Sequence, residues 1–224
     1  MAGPTIPSLR VEKRLLRTHA RVGCIDEVGR GALGGPATVG VVVVDATVRR
    51  PLVGVRDSKL LRPAARAELV PRIERWAAAS AVGHAAAAEV DAHGIVVALR
   101  LAALRALAVL AVAVDVVLLD GSHDWLTPPP AAGLFEPEVS VPVPAVVTMV
   151  KADLSCSGVA AASVLAKFAR DALMVELSRR HPGYGWDENK GYASPTHIEA
   201  LRRLGPCDEH RRSWNLPSMA GSVR

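Results

Sequence analysis

A chain of 224 residues, half of them hydrophobic, can bury one full core without disulfides or metal. Its three cysteines, Cys24, Cys156 and Cys207, form no C-x-x-C pair and leave an odd count, which argues against a disulfide framework and for a reducing, cytoplasmic setting. A formal net charge of +5 suits a polyanionic partner without identifying one, and an aromatic share of 4% leaves Ala, Val and Leu to fill the core.

Residues 1–20 read as an N-terminal segment, loose to Pro7 and then a short helix over 9–20 with Leu15 and Leu16 among basic residues. No apolar run precedes Arg10, so no signal peptide is expected. Residues 21–26 form the first strand and 37–45, nearly all Val, a second strand buried on both faces. A polar step over 56–60 leads to a helix over 62–79, with Leu69, Ile73 and Trp76 on one face and Pro71 expected to kink or split it. Residues 80–89 read as a third strand, and Asp91 as the N-cap of a helix through Leu110. Arg100, Arg105 and Asp115 interrupt the apolar stretch 95–119, leaving no run of the roughly 20 residues a membrane span needs. Residues 114–120 make a strand ending on an acid. A loop over 127–144 with six prolines follows, read as an insertion rather than a flap. Residues 145–150 form another strand, closed by Lys151-Ala152-Asp153. Ser155 or Ser157 caps a helix of small residues that continues to Arg180, and its run Ala160-Ala161-Ala162-Ser163 permits close packing on a sheet. Residues 181–191 are turn-like, Ser194 or Thr196 opens a last helix to Leu204, and 217–224 read as a disordered tail. The alternation gives an α/β fold with a mixed central sheet flanked by helices.

The most informative stretch is 22–36, a strand reaching Asp26-Glu27 and then a turn, Gly29-Arg30-Gly31, before the second strand. Alternation along a strand keeps Asp26 and Glu27 from facing the same way. Gly29, Gly31 and Gly34 match the G-x-G-x-x-G spacing, but a Val-rich strand follows where a dinucleotide-binding turn would open a helix, so that reading is rejected. Three strands are expected to end at Asp26, Asp120 and Asp153, and ligands of open α/β sheets gather at carboxyl ends of strands. Taken singly, Asp120-Gly121 is an ordinary turn and Asp153 an ordinary helix cap. Together with Glu27 they make four carboxylates at one edge, which cannot all stay ionised without cations. Oxygen-only donors suit Mg²⁺ or Mn²⁺, and a two-metal site is a recurring device for phosphodiester hydrolysis.

These residues resemble a known family. Asp26-Glu27-Val28-Gly29-Arg30-Gly31 is similar to the Asp-Glu-x-Gly-Arg-Gly signature of type 2 ribonucleases H, specifically bacterial ribonuclease HII. Asp57-Ser58-Lys59, Leu118-Leu119-Asp120-Gly121, Lys151-Ala152-Asp153, the run 160–167 with Arg170-Asp171, and Asn189-Lys190-Gly191-Tyr192 with His197 resemble further blocks of that family, in order over residues 21–204.

The resemblance implies a ribonuclease H-like catalytic domain over 21–180, with a small helical C-terminal region over 181–216 packed on it. It implies four metal-binding catalytic acids, Asp26, Glu27, Asp120 and Asp153, holding two Mn²⁺ or Mg²⁺ ions. Gly29, Arg30 and Gly31 would read the ribonucleotide at an RNA–DNA junction, Tyr192 would pack on the adjacent deoxyribose, and Ser58 and Lys59 either hold a backbone phosphate or only turn the chain into a helix. The implied substrates are RNA–DNA hybrids and duplex DNA with embedded ribonucleotides, cut 5′ to the ribonucleotide to leave a 3′-hydroxyl and a 5′-phosphate, as in ribonucleotide excision repair; a monomer is expected. Val28, Ala32 and Ala152 stand where the family commonly has Ala, Pro and Gly, changes expected to touch packing more than chemistry. Lys167 and Arg170, three apart on one helix face, read as solvating it. His197 either nears the site or caps a helix, and Cys24 and Cys156 read as packing. Two competing readings remain: another two-metal nuclease such as a junction resolvase or transposase core, and a nucleic-acid-binding module without catalysis.

Overall fold

The computed structural model describes residues 6–129 and 141–217; the start of the loose N-terminus, the middle of the proline loop and the expected disordered tail from 218 lie outside the described residues. Five strands form one sheet in the order β3-β2-β1-β4-β5: β1 (Val22–Val28), β2 (Ala37–Val44), β3 (Ala79–Ala85), β4 (Val116–Asp120) and β5 (Ala145–Met149). β1 to β3 run as antiparallel neighbours, while β4 and β5 lie parallel to β1. Helices α1 (Arg10–Leu15), α2 (Pro63–Trp76), α3 (Ala87–Ala108), α4 (Ala152–Ser155), α5 (Ser157–Arg180), α6 (Trp186–Asn189) and α7 (Pro195–Leu204) complete the chain. The mixed sheet flanked by helices is the expected architecture, and among the described residues no helix is long and apolar enough to cross a membrane.

Alternation along the strands divides the core. Val22, Cys24, Val42, Val44, Val116 and Leu118 pack with α2 and α5 on one face, and Ile25, Val39, Val41, Val117 and Leu119 pack with α3 on the other. Small residues bring α5 close. A Cβ on Gly40 would run into the Ala162 carbonyl, and one on Gly158 into the Cys24 thiol. A third cluster, Met174, Leu177, Tyr184, Trp186, Ala200 and Leu201, seats the C-terminal helices on α5.

Several boundaries depart from sequence expectation. α2 runs unbroken through Pro71. α3 starts at Ala87, and Asp91 is not its cap: the Glu89 carboxylate accepts from the Ala86 amide at 2.8 Å, and the chain bends at Gly94, whose φ is +77°. Asp91 instead accepts from the Arg212 and Ser213 amides, tying down the C-terminal segment. Neither Ser155 nor Ser157 caps α5. The Gly158 amide donates to Glu12 of α1 at 2.8 Å, while the Ser155 hydroxyl donates to the Lys151 carbonyl. Ser194 does cap α7, accepting from the His197 amide.

Candidate active site

The parallel register sets Cys24 against Leu118 and Ile25 against Leu119, so Asp26 and Asp120 follow at the next step on neighbouring strands. By alternation both point toward α5 and Glu27 points to the other face. β1 continues past Asp26 to Val28, and Asp153 lies beyond β5 on α4, so only Asp120 actually ends its strand. Asp153 nonetheless comes near Asp120 and Asp26. Lys151 turns the chain through a left-handed conformation, φ +58°, and the Ala152 amide donates to Asp120 Oδ1 at 2.7 Å, bringing the start of α4 against the end of β4.

The electrostatics register this proximity. Burial pushes the Asp26 carboxyl well above the usual carboxylate range, and Glu27, Asp120 and Asp153 push it further against the pull of the Ser163 hydroxyl. Burial likewise raises Glu27, opposed by Arg30 and aided by Asp120. Asp153 rises through burial and then through Asp120 and Asp57. Asp26 and Glu27 each have a partner: the Glu27 amide donates to Asp26 Oδ1 at 2.8 Å, and Arg30 lies 3.4 Å from Glu27 Oε1. The Ser163 hydroxyl, which lies against Asp26, donates to the Ser58 hydroxyl at 2.9 Å. Ser58 is therefore buried as a support for the acid edge. Lys59 is exposed beside it: burial disfavours its charge, but Asp57, Asp26, Asp153 and Asp120 outweigh that and raise its pKa. Asp57, not singled out from sequence as a site residue, is buried next to Asp153 and accepts from the Lys59 amide at 3.0 Å.

Among the described residues no three or more Asp, Glu, His or Cys side chains are placed closely enough together to hold a metal ion between them. The donors are an open, all-oxygen edge, and the raised pKa values of Asp26, Glu27 and Asp153 express unrelieved desolvation and repulsion. Those are the properties that a hard divalent cation would offset, and they fit Mg²⁺ or Mn²⁺ better than zinc.

The turn after β1 is held from below by two buried arginines. Arg170 donates to the carbonyls of Pro36 at 2.8 Å, Lys190 at 2.9 Å and Gly34 at 3.0 Å. Arg211 donates to those of Gly29 at 2.6 Å, Arg30 at 2.9 Å and Gly35 at 3.3 Å, with Trp214 against its guanidinium. Arg170 is thus a structural clamp rather than a solvated surface cation, while Lys167 pairs with Asp171 at 2.7 Å. The Gly29 amide donates to the Tyr192 hydroxyl at 3.1 Å, and Arg170 lies 5.3 Å from that ring's centre. His197 neither lines the acid edge nor caps a helix with its side chain. It is fully buried, accepting from Trp186 at 3.1 Å and placing its other ring nitrogen 2.9 Å from the Tyr192 carbonyl. His210 stands 3.1 Å from it and accepts from the Cys207 amide. Cys24 and Cys156 are buried, as packing residues should be.

The family model for ribonuclease HII matches residues 23–216 of this chain. The chain belongs to the ribonuclease HII family. Ribonuclease HII of Streptomyces coelicolor is 45% identical over 210 residues, covering 93% of this chain and 83% of that protein. The Nitrosococcus oceani ribonuclease HII is 43% identical over 194 residues, covering 87% and 88%. Among solved structures, ribonuclease H2 from Pyrococcus horikoshii superposes with a TM-score of 0.67 at 25% identity, covering 88% of this chain and 95% of that one. A Bst ribonuclease HIII solved in complex with Mn²⁺ shares the fold, with a TM-score of 0.55 at 20% identity, covering 83% and 63%. As a member of the ribonuclease HII family the chain is a hydrolytic nuclease of the ribonuclease H class. In this ribonuclease HII chain, sequence reasoning missed Arg211 and the anchoring role of Arg170, because nothing local marks a cation that will meet only carbonyl oxygens.

Proposed function

We propose that this chain is an endoribonuclease that hydrolyses the phosphodiester 5′ to a ribonucleotide, in RNA–DNA hybrids and at single ribonucleotides in duplex DNA, leaving a 3′-hydroxyl and a 5′-phosphate. One observation carries the reading: Asp26 and Asp120 share one face on adjacent parallel strands, Asp153 is drawn in by the Ala152–Asp120 hydrogen bond, and an exposed glycine follows at Gly31. Asp26, Glu27, Asp120 and Asp153 would hold Mn²⁺ or Mg²⁺, which when bound supplies an acidified attacking water and charge stabilisation for the leaving oxygen. The chain's own contribution is preorganisation. Backbone amides fix Asp26 and Asp120, Arg30 steadies Glu27, and Ser163, itself held by Ser58, lies against Asp26.

Recognition needs a backbone that can approach the 2′-hydroxyl, the feature separating RNA from DNA at one nucleotide. A side chain at Gly31 would point into open space, so the absent Cβ there serves an incoming ligand rather than the fold. Tyr192, pinned through its hydroxyl to Gly29, presents a fixed ring for a sugar without that hydroxyl. Lys59 supplies an exposed cation beside the acids for a flanking phosphate. In this reading residues 21–180 carry the chemistry and 181–216 brace the recognition turn.

The test is a DNA duplex with one internal ribonucleotide, incubated with Mn²⁺ or Mg²⁺. A single nick 5′ to the ribonucleotide, absent on all-DNA duplex, is the expected result. Cutting confined to branched DNA, or binding without any cutting, would refute the assignment.

A further inference from the structure

Helix α1 carries a charge pattern the chemistry above does not use. Arg10, Lys13 and Arg14 of α1 and Arg17, in the turn just after it, recur at three- and four-residue spacing, and all four are exposed. The one acid of the helix, Glu12, is turned inward and fully buried. Among the described residues none of the four cations is ion-paired. They surround a recess of about 460 Å³ with only Val11 besides. Like charges at this spacing destabilise an isolated helix, so the face costs stability unless a polyanion compensates it.

The position of α1 says which polyanion. The Ser8 amide donates to the Ser155 carbonyl at 2.9 Å, the Ser157 amide donates to the Ser8 carbonyl at 2.9 Å, and Glu12 holds the Gly158 amide. These bonds fasten α1 to the junction of α4 and α5, directly after Asp153. The Cys156 thiol at that junction, pushed up to about 11 chiefly by burial, feels both Asp120 and Arg14. Lys13 donates to the Arg49 carbonyl at 3.0 Å, which continues the basic surface through Arg49 and Arg50, both exposed.

We propose that the Arg10–Arg17 face is a second clamp on the nucleic-acid duplex, gripping its sugar–phosphate backbone to one side of the bond cut at the acid edge. The proposal rests on the nuclease reading above for its substrate. α1 and the turn carrying Arg17 together span about 10 Å, the length of roughly three phosphates along one strand. Such contacts give affinity and register but no sequence preference.

The test compares the parent with an R10Q/R14Q/R17Q variant in binding a fluorescent ribonucleotide-containing duplex without divalent metal. The variant is expected to bind about tenfold or more weakly at low salt, with the slope of log K against log salt shallower by roughly 3. R10K/R14K/R17K should restore both, and truncating the duplex on one side of the ribonucleotide, but not on the other, should erase the difference. Thermal melting of each variant separates lost contact from lost folding. Equal affinity and equal salt slope for parent and variant on every duplex would overturn the proposal. So would a variant that loses binding only to anionic lipid vesicles. A parent that binds duplex but never nicks it would instead sink the nuclease reading, leaving the clamp to be judged on the binding data.

Discussion

Gly29 and Gly31 stand two residues apart in one turn and answer to different constraints. Gly29 has φ +82°, and a Cβ there would collide with the Arg170 guanidinium. Gly29→Ala should therefore cost more than the roughly 1–2 kcal/mol of the left-handed backbone alone, read as a lower urea midpoint. Gly31→Ala should leave stability unchanged within about 0.5 kcal/mol while raising KM for a ribonucleotide-containing duplex; an unchanged KM would remove Gly31 from the recognition surface. Asp26 is under the opposite strain. Its folded pKa lies above the unfolded value, so its contribution to stability is present below the unfolded pKa and is lost as pH rises through the folded one. At neutral pH without metal, Asp26→Asn should melt higher than the parent and yet fail to nick; a lower melting temperature would mean that the carboxylate is stabilised, not stressed, by its surroundings.

At the scale of elements, the C-terminal segment is a brace built from buried polar groups. His210 is fully buried and its pKa is depressed from 6.5 to about 4, first by burial and then by His197. Above about 6.5 neither state is protonated. Between 6.5 and about 4 only the unfolded chain takes the proton, so stability falls with pH, by up to about 3 kcal/mol. The carboxylates with raised pKa values act with the opposite sign, so the informative quantity is the difference in urea stability between parent and His210→Asn. That difference should shrink as pH falls through this window, and a pH-independent difference would contradict the burial argument. This brace is the part least legible in the sequence. Asp120 and the Val-rich strands were readable because alternation and a strand-ending acid are local patterns, whereas Asp26 was found through the acid pair before the glycine turn although β1 runs two residues past it. Arg170 looked like a solvated neighbour of Lys167 because helical spacing tells which residues share a face, not what the face meets. Arg211 and His210 lie in a segment with no period at all. Asp91 was misread as a cap because Glu89, three residues beyond Ala86, captured that role and left Asp91 for Ser213.

The whole molecule couples the acid edge to its stability. Buried, mutually repelling carboxylates raise the free energy of the metal-free fold, so a divalent cation binding the folded state alone should stabilise it by mass action and displace protons. Melting temperature is expected to rise with Mn²⁺ concentration, more at pH 7 than at pH 5, where protons compete for the same oxygens; equal shifts at the two pH values would place the ions elsewhere. The helical and sheet layers matter to this because β1, β4 and α4 bring donors from distant parts of the chain to one edge. The most direct test is calorimetric Mn²⁺ titration of the parent beside four single variants, Asp26→Asn, Glu27→Gln, Asp120→Asn and Asp153→Asn. The account expects each variant to lose at least tenfold in affinity or one bound ion while remaining folded. Full Mn²⁺ binding in any folded variant would take that residue out of the site, and full binding in all four would leave no cation site at this edge.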